Sequence, residues 1–228
     1  MLAIPIQRTD RQIVRHLSVS EQEALLAAPD ETTRGGVRDR ALCHLAVASG
    51  MRVSELVGLR LDDLTLRGRY ADVLVRGKGR KERVLPLWKE VADSLRAWLA
   101  VRGEARVPEF FLNARGKPLT RSGVAHILHK HKAAAAVGCP SLDSKPVSPH
   151  VLRHSCAMNV LCSTRDIRKV ALWLGHERQE TSEIYVEGDA SEKLEVLQAV
   201  VPPTLRPGQF RPPDKLIAAL RAPLIMRS

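Results

Sequence analysis

One segment of the chain changes its hydrophobic period, and this change limits the folds that the chain can adopt. Residues 70–87 read YADVLVRGKGRKERVLPL, in which apolar and polar residues alternate on both sides of a basic, glycine-containing stretch. A period of two is typical of β-strands, and two such strands around a short loop form an antiparallel hairpin. The sequence therefore predicts one β-hairpin with a basic tip.

The segments before and after this hairpin show the helical period instead. Apolar residues recur every three to four positions, and a capping residue, a proline or a glycine marks most of the ends. The chain is therefore assigned to the α+β class, as a mostly α-helical domain with a small antiparallel sheet, the β-hairpin, at one edge. Helices are predicted within residues 18–30, 37–49, 51–60, 88–102, 120–128, 150–162, 165–174, 191–200 and 215–222, and a short strand is predicted at 110–113.

Hydroxyl residues mark several of the predicted helix starts. Ser18 and Ser20 each precede a glutamate by three positions, which is the pattern of a capping box. Ser148 precedes Pro149, a residue suited to the first helical turn, and Thr164 precedes the next apolar period. These residues are predicted to accept hydrogen bonds from the unpaired amides of the first turn.

The charge of the chain indicates a polyanionic partner. Lys and Arg number 36 against 25 Asp and Glu, a formal net charge of +11, while 44% of the 228 residues are hydrophobic and can form a core. Nucleic acid is the first candidate, although a ribosomal, membrane-surface or heparin-like binder would share this charge. No apolar run is long enough to suggest a membrane span.

Six scattered polar residues suggest one shared chemistry. Each has an ordinary explanation alone, such as a surface arginine, a solvated hairpin tip or a core tyrosine. Together, two guanidiniums can neutralise a phosphate, a tyrosine can attack phosphorus, and a lysine or histidine can protonate the leaving oxygen. No carboxylates stand where they would bind Mg²⁺, so the predicted chemistry uses no metal and no cofactor. The six are Arg52, Lys78, His150, Arg153, His176 and Tyr185.

The motifs around these residues resemble those of the tyrosine site-specific recombinases, the phage-integrase and Xer-like group that shares its chemistry with type IB topoisomerases. The resemblance covers roughly residues 18–200, and the motifs follow the order of the family. They are SGMRVSELVGL for the first arginine, VRGKGRKERVLPL for the hairpin lysine, HVLRHSCA for the His-x-x-Arg box, LGH for the second histidine, and ETSEIY for the nucleophile, nine residues after that histidine.

The resemblance implies that two arginines and the hairpin contact the scissile phosphate and its DNA. Arg52 and Arg153 would clamp the phosphate. Independently of the resemblance, Glu55 follows Arg52 by three positions, a spacing that predicts that it orients the arginine side chain. Lys78 would act as the general acid for the departing 5′ oxygen. The neighbouring basic residues of the hairpin tip are expected to contact DNA as well: Arg80 and Lys81.

The remaining three residues would carry out the attack itself. By resemblance, His150 assists deprotonation of Tyr185, and His176 donates a hydrogen bond to a phosphate oxygen. Tyr185 would form a 3′-phosphotyrosyl bond. Because one phosphodiester is exchanged for another of similar energy, religation would need neither ATP nor a metal ion.

The resemblance also implies a domain organisation. Residues 1–17 are expected to form an arm or linker, residues 18–200 the catalytic domain, and residues 201–228 a proline-rich spacer with a short C-terminal helix. Members of the family usually carry a helical DNA-binding domain ahead of the catalytic one, and that core-binding domain is expected to be absent here. The expected partner is double-stranded DNA, on which a homo- or hetero-tetramer exchanges the C-terminal helix, unless that tail stays unbound.

The cysteines and the lack of a signal peptide indicate a cytoplasmic protein, here expected to associate with the nucleoid. The four cysteines show neither a CxxC pair nor an alternating Cys/His spacing and are interpreted as reduced thiols: Cys43, Cys139, Cys156 and Cys162.

Three functions remain open on the sequence. The first is an integrase or recombinase of a mobile element, acting in transposition or site-specific recombination. The second is a shortened paralogue that binds recombination sites and regulates a full-length recombinase without cutting. The third is a topoisomerase that only relaxes DNA.

Overall fold

The computed structural model describes residues 16–66, 71–77 and 82–175. Within these ranges the protein consists of seven α-helices, two short 3-10 helices and one three-stranded antiparallel sheet, so the predicted fold class is confirmed. No helix in the described part combines the length and the apolar character that a membrane crossing requires. The elements are α1 (Val19–Ala27), α2 (Arg34–Ser49), α3 (Val53–Val57), β1 (Leu64–Thr65), β2 (Ala71–Arg76), β3 (Glu82–Leu87), α4 (Lys89–Arg102), α5 (Arg121–Gly138), α6 (Pro149–Thr164) and α7 (Ile167–Leu174).

The sheet is the predicted hairpin with one added strand. β2 and β3 pair from Ala71 opposite Leu87 to Arg76 opposite Glu82, and β1 pairs with the other side of β2. β1 was not predicted because its two residues are too few to show a period. The tip of the hairpin, residues 78–81, lies outside the described residues.

Helix α2 lies at the centre of the fold. Residues 41–49 are all buried, and α4 and α6 pack against this helix. Trp98 from α4 and Trp173 from α7 are each 1% exposed, and the indole N–H of Trp173 donates to the carbonyl of Ala48 at 3.1 Å. The second half of α2 is therefore enclosed on every side and presents no face to solvent.

Several predicted helix starts are confirmed. Ser18 and Glu21 form the reciprocal capping box of α1, and Ser148 accepts a hydrogen bond from the Val151 amide at the start of α6. The second capping box, that of Ser20, is wrong because Ser20 lies inside α1 and its hydroxyl contacts that of Ser18. A helix has only one first turn, and Ser18 occupies the cap.

The prediction that Thr164 opens the last described helix is also wrong. Thr164 is the final residue of α6, and its hydroxyl donates to the carbonyl of Val160 at 2.8 Å. Arg165 follows in the left-handed conformation, with φ at 54°, and ends α6. Asp166 caps α7 by accepting from the Arg168 amide, since a carboxylate serves as a cap as well as a hydroxyl.

The strand predicted at residues 110–113 is not formed. Phe110 and Phe111 are fully buried, and their backbone pairs only through separate contacts: the Phe110 amide donates to Leu59 at 2.7 Å, and Phe111 accepts from Leu119 at 3.0 Å. Single bridges flank them on either side. The apolar run fills the core rather than the edge of the sheet.

Glu21 fastens α1 to the loop before α6. Its buried carboxylate accepts hydrogen bonds from the Ser141 hydroxyl and the Lys145 ammonium, both at 2.7 Å. Burial alone would raise the pKa of Glu21, but the contacts with Lys145, Ser141 and the Ser18 backbone outweigh it and lower that pKa to about 2. The fold therefore stabilises the ionised carboxylate.

We expect Glu21→Gln to lower the free energy of unfolding by about 2 kcal/mol at neutral pH, because a buried charged partner is lost. In the folded protein the pKa of Glu21 is about 2, below the ordinary 4.5. The contribution of Glu21 to the free energy of unfolding is therefore complete above about pH 4.5 and is lost as the pH falls toward about 2. Urea unfolding at a series of pH values should show the two proteins converging in acid. The exposed Glu104→Gln is the control, and a difference that does not change with pH would contradict the assignment.

Candidate active site

Arg52 is placed by the junction between α2 and α3. Gly50 ends α2 in the left-handed conformation, with φ at 59°, and Arg52 is the cap residue before α3. Glu55 accepts the Arg52 backbone N–H at 2.8 Å and its Nη1 at 3.1 Å. The predicted pairing of Glu55 with Arg52 is confirmed, and it holds a side chain that remains 39% exposed.

Arg153 comes from α6 and lies between the ends of two other helices. Its Nη1 donates to the carbonyl of Gly50 at the end of α2, and its Nη2 donates to the carbonyl of Leu174 at the end of α7, at 2.9 Å. The last carbonyls of a helix lack partners within it and carry the negative end of the helix dipole, so they suit a buried cation. Arg153 therefore joins α2, α6 and α7 at one point.

Burial and charge both act on this guanidinium. Arg153 is only 9% exposed, and burial together with the positive charges of Arg52 and Arg83 lowers its pKa to about 10. It stays protonated at neutral pH all the same. A cation held beside two others is stabilised by any anion that reaches it.

Arg83 was not among the predicted site residues. It lies on β3 and forms a two-pronged ion pair with Glu55, with Nη2 to Oε2 at 2.9 Å and Nη1 to Oε1 at 3.2 Å. The alternation along β3 puts Arg83 on the same face as the buried Leu85 and Leu87, and that period was the signal that could have found it.

The described part of the site carries excess positive charge. Burial raises the pKa of Glu55, but the ion pairs with Arg83 and Arg52 outweigh burial and keep that pKa below its usual range. Within residues 16–66, 71–77 and 82–175, Arg52 and Arg83 thus share one ionised carboxylate, and Arg153, which donates to two backbone carbonyls, adds a third positive charge to the site. In the same ranges no group of three or more His, Cys, Asp or Glu is arranged to hold a metal ion. The chemistry available here is the binding of an oxyanion.

His150 lies in the first turn of α6, one turn before Arg153, and is exposed. Ser148 and Pro149 fix the start of this turn, which sets the direction of the histidine. In the next turn His154 has a pKa lowered by burial and by the charges of His16 and His150. The His-x-x-Arg motif thus presents an exposed imidazole and a buried guanidinium on one helix.

The other predicted site residues lie outside the described residues: Lys78, Arg80, Lys81, His176 and Tyr185. Their described neighbours do reach the site. Leu174, the first residue of the LGH motif, gives its carbonyl to Arg153, and Gly175 ends α7 with φ at 62°. β2 ends at Arg76 opposite Glu82, where β3 begins, one residue before Arg83.

Substitution of Gly50 tests whether the helix ends are packed as tightly as the site requires. An added methyl carbon would clash with Leu174 Cδ2 and lie 3.1 Å from Cys156 Sγ. We expect Gly50→Ala to lower the free energy of unfolding by about 3 kcal/mol, from left-handed strain plus overpacking. Gly116→Ala is the matched control because Gly116 has φ at 72° but nothing within 4 Å of the added carbon, so it should lose only about 1 kcal/mol. Equal losses in thermal unfolding would contradict the close packing.

The sequence of the chain matches a known protein family and its members. Residues 15–192 match the phage integrase family. The chain is 43% identical over 224 residues to the integrase/recombinase y4rC of Sinorhizobium fredii, covering 97% of this chain and 67% of that protein. It is 34% identical over 211 residues to the tyrosine recombinase XerC of Pelobacter propionicus, covering 91% of this chain and 66% of that one.

Solved structures show the same fold. The XerH site-specific recombinase, bound to palindromic difH substrate in a post-cleavage complex, has a TM-score of 0.66 and 27% identity, covering 85% of this chain and 55% of that one. The XerA recombinase has a TM-score of 0.64 and 28% identity, covering 84% and 65%. The chain thus spans between about half and two thirds of these relatives. It belongs to the phage integrase family, as a tyrosine recombinase with an Xer-like catalytic domain.

Proposed function

We propose that the protein is a site-specific DNA recombinase or integrase that cleaves and rejoins strands through a 3′-phosphotyrosyl intermediate. The observation that carries this proposal is that Arg153 donates to the carbonyl of Gly50, two residues before Arg52, so that both arginines lie at the junction of α2 and α3 beside Glu55. The names of the relatives, an integrase/recombinase and a tyrosine recombinase, support the same reaction class.

The arginine pair binds the scissile phosphate in this proposal. Within the described residues the Arg52 guanidinium donates one hydrogen bond, to Glu55, so its other N–H groups are available to a phosphate. Arg153 is anchored by the carbonyls of Gly50 and Leu174 and cannot move away as charge develops. Fixed donors of this kind stabilise the transition state more than the ground state, because the charge on the phosphate oxygens is redistributed as the bonds change.

The strand transfer itself uses three groups from separate motifs. The phenolic oxygen of Tyr185 forms a bond to phosphorus while the bond from phosphorus to the 5′ oxygen breaks. His150 assists removal of the phenolic proton, and Lys78 donates a proton to the departing oxygen. His176 donates a hydrogen bond to a non-bridging oxygen. Religation reverses these steps with a second 5′ hydroxyl, so neither ATP nor a metal ion is consumed.

Double-stranded DNA is the proposed substrate, and the protein is proposed to assemble into a tetramer on it. The net charge of +11 supports a polyanionic partner, and Arg80 and Lys81 at the hairpin tip would bind its backbone. Residues 18–200 would form the catalytic domain, preceded by the linker of residues 1–17. A tetramer, homo- or hetero-, would exchange the helix at residues 215–222, beyond the proline-rich spacer.

Covalent capture tests the proposal. The protein is incubated in EDTA with supercoiled DNA that carries the sequence flanking its gene, and the reaction is stopped with SDS. We expect DNA linked to the wild type and none linked to Tyr185→Phe, because the phenolic oxygen forms the bond.

Two results would contradict strand transfer by Tyr185. Capture by Tyr185→Phe would assign the bond to another residue. DNA that is bound but never captured would favour a protein that occupies recombination sites and regulates another recombinase without cutting.

A further inference from the structure

Arg83 is buried in the site, although the proposed reaction gives it no step. Its side chain is 9% exposed, and it is the second residue of β3, close to the hairpin tip that contains Lys78. Within the described residues its Nε is buried without a hydrogen-bond partner. A buried donor left unpaired costs stability, so folding alone does not account for an arginine here.

The contacts of Glu55 show what Arg83 does to Arg52. Oε1 accepts from Nη1 of both arginines, at 3.1 Å from Arg52 and 3.2 Å from Arg83. Oε2 accepts the Arg52 backbone N–H at 2.8 Å and Arg83 Nη2 at 2.9 Å. Four donors occupy the capacity of one carboxylate. Arg83 takes the two-pronged geometry that an arginine prefers with a carboxylate, and the Arg52 guanidinium is left with one hydrogen bond to this carboxylate.

A second contact of Arg83 reaches the end of α7. A methyl carbon added to Gly175 would lie 3.1 Å from Arg83 Cδ and 3.2 Å from its Nη1, so the arginine lies directly against this glycine. The residue before it, Leu174, holds Arg153 through its carbonyl. Arg83 therefore touches both the partner of Arg52 and the turn that supports Arg153.

We propose that Arg83 is a positioning residue that joins β3, α3 and the turn after α7 into one unit and, by occupying Glu55, keeps the Arg52 guanidinium available to a phosphate. The joining of the three elements follows from contacts alone. The effect on Arg52 rests on the proposed function. Loss of Arg83 would let Arg52 form the two-pronged pair with Glu55 itself and withdraw from the substrate.

Hydrogen exchange tests the joining without any DNA. We expect Arg83→Met to raise the amide exchange rates of residues 82–87 and 170–175 about tenfold. In the wild type, local opening must break the ion pair between Arg83 and Glu55, and without this pair the free-energy cost of opening is lower. The rates in α4 should stay unchanged. Arg76→Met is the matched control, since Arg76 also lies in the hairpin but pairs with Asp63 at 2.8 Å. Unchanged exchange at residues 170–175 in Arg83→Met would overturn the joining role.

The rate of covalent capture tests the effect on Arg52. We expect Arg83→Met and Arg83→Lys to slow single-turnover capture about 100-fold, with DNA affinity changed less than about threefold, because Arg52 is displaced. Lysine keeps the charge but cannot form a two-pronged pair, so it separates geometry from charge. Arg76→Met should stay within about threefold of the wild type.

The decisive comparison adds Glu55→Gln to the Arg83→Lys background. A neutral amide no longer draws Arg52 away, so the double variant should react about tenfold faster than Arg83→Lys, although Glu55→Gln alone should be slower than the wild type. A double variant as slow as, or slower than, Arg83→Lys would overturn the effect on Arg52. If the wild type captures no DNA, the proposed function fails, and the exchange rates alone decide whether Arg83 joins the three elements.

Discussion

The guanidinium of Arg153 carries its charge where water has been removed, and the carbonyls at the ends of α2 and α7 hold it there. Removing a cation from water is costly unless its donors find acceptors, and unpaired helix carbonyls supply them without adding a second charge. The cation keeps its charge for a ligand. The surrounding packing follows from this requirement: Gly50 must have no side chain, and α7 must end where Leu174 can accept.

Glu55, in contrast to these neutral carbonyls, brings a negative charge into the site. One buried carboxylate forms ion pairs with both Arg52 and Arg83, and its negative charge reduces the repulsion between the positive charges of the site. Because its capacity is shared by four donors, neither arginine is fully neutralised. The site thus balances two demands, enough negative charge to fold and enough positive charge to bind a phosphate.

The fold was predictable wherever local sequence determined it. Alternation over residues 70–87 gave β2 and β3, and Ser18 and Ser148 marked real helix starts. The errors arose where the local signal was ambiguous: Thr164 and Asp166 are both suitable cap residues, but α6 continues through Thr164 and Asp166 caps α7. The prediction of a strand at residues 110–113 is wrong because a short apolar run is as typical of a buried irregular segment as of a strand.

The site was predictable in its motifs but not in its connections. Arg52, His150 and Arg153 stand in motifs that resemble those of a known family, and the pairing of Arg52 with Glu55 spans only three positions. The pairing of Arg83 with Glu55 spans 28 positions and crosses from a strand to a helix. No local period reports such a contact, although the inward face of β3 placed Arg83 toward the core.

We propose that Arg52 and Arg153 bind one oxyanion between them. The most direct measurement is a crystal structure of the protein soaked with tungstate, whose anomalous scattering locates the ion without bias. We expect a tungstate within hydrogen-bond distance, about 3 Å, of both guanidiniums, and no ion at this place in crystals of Arg153→Met. Tungstate bound elsewhere, with the two arginines contacting only protein, would contradict it.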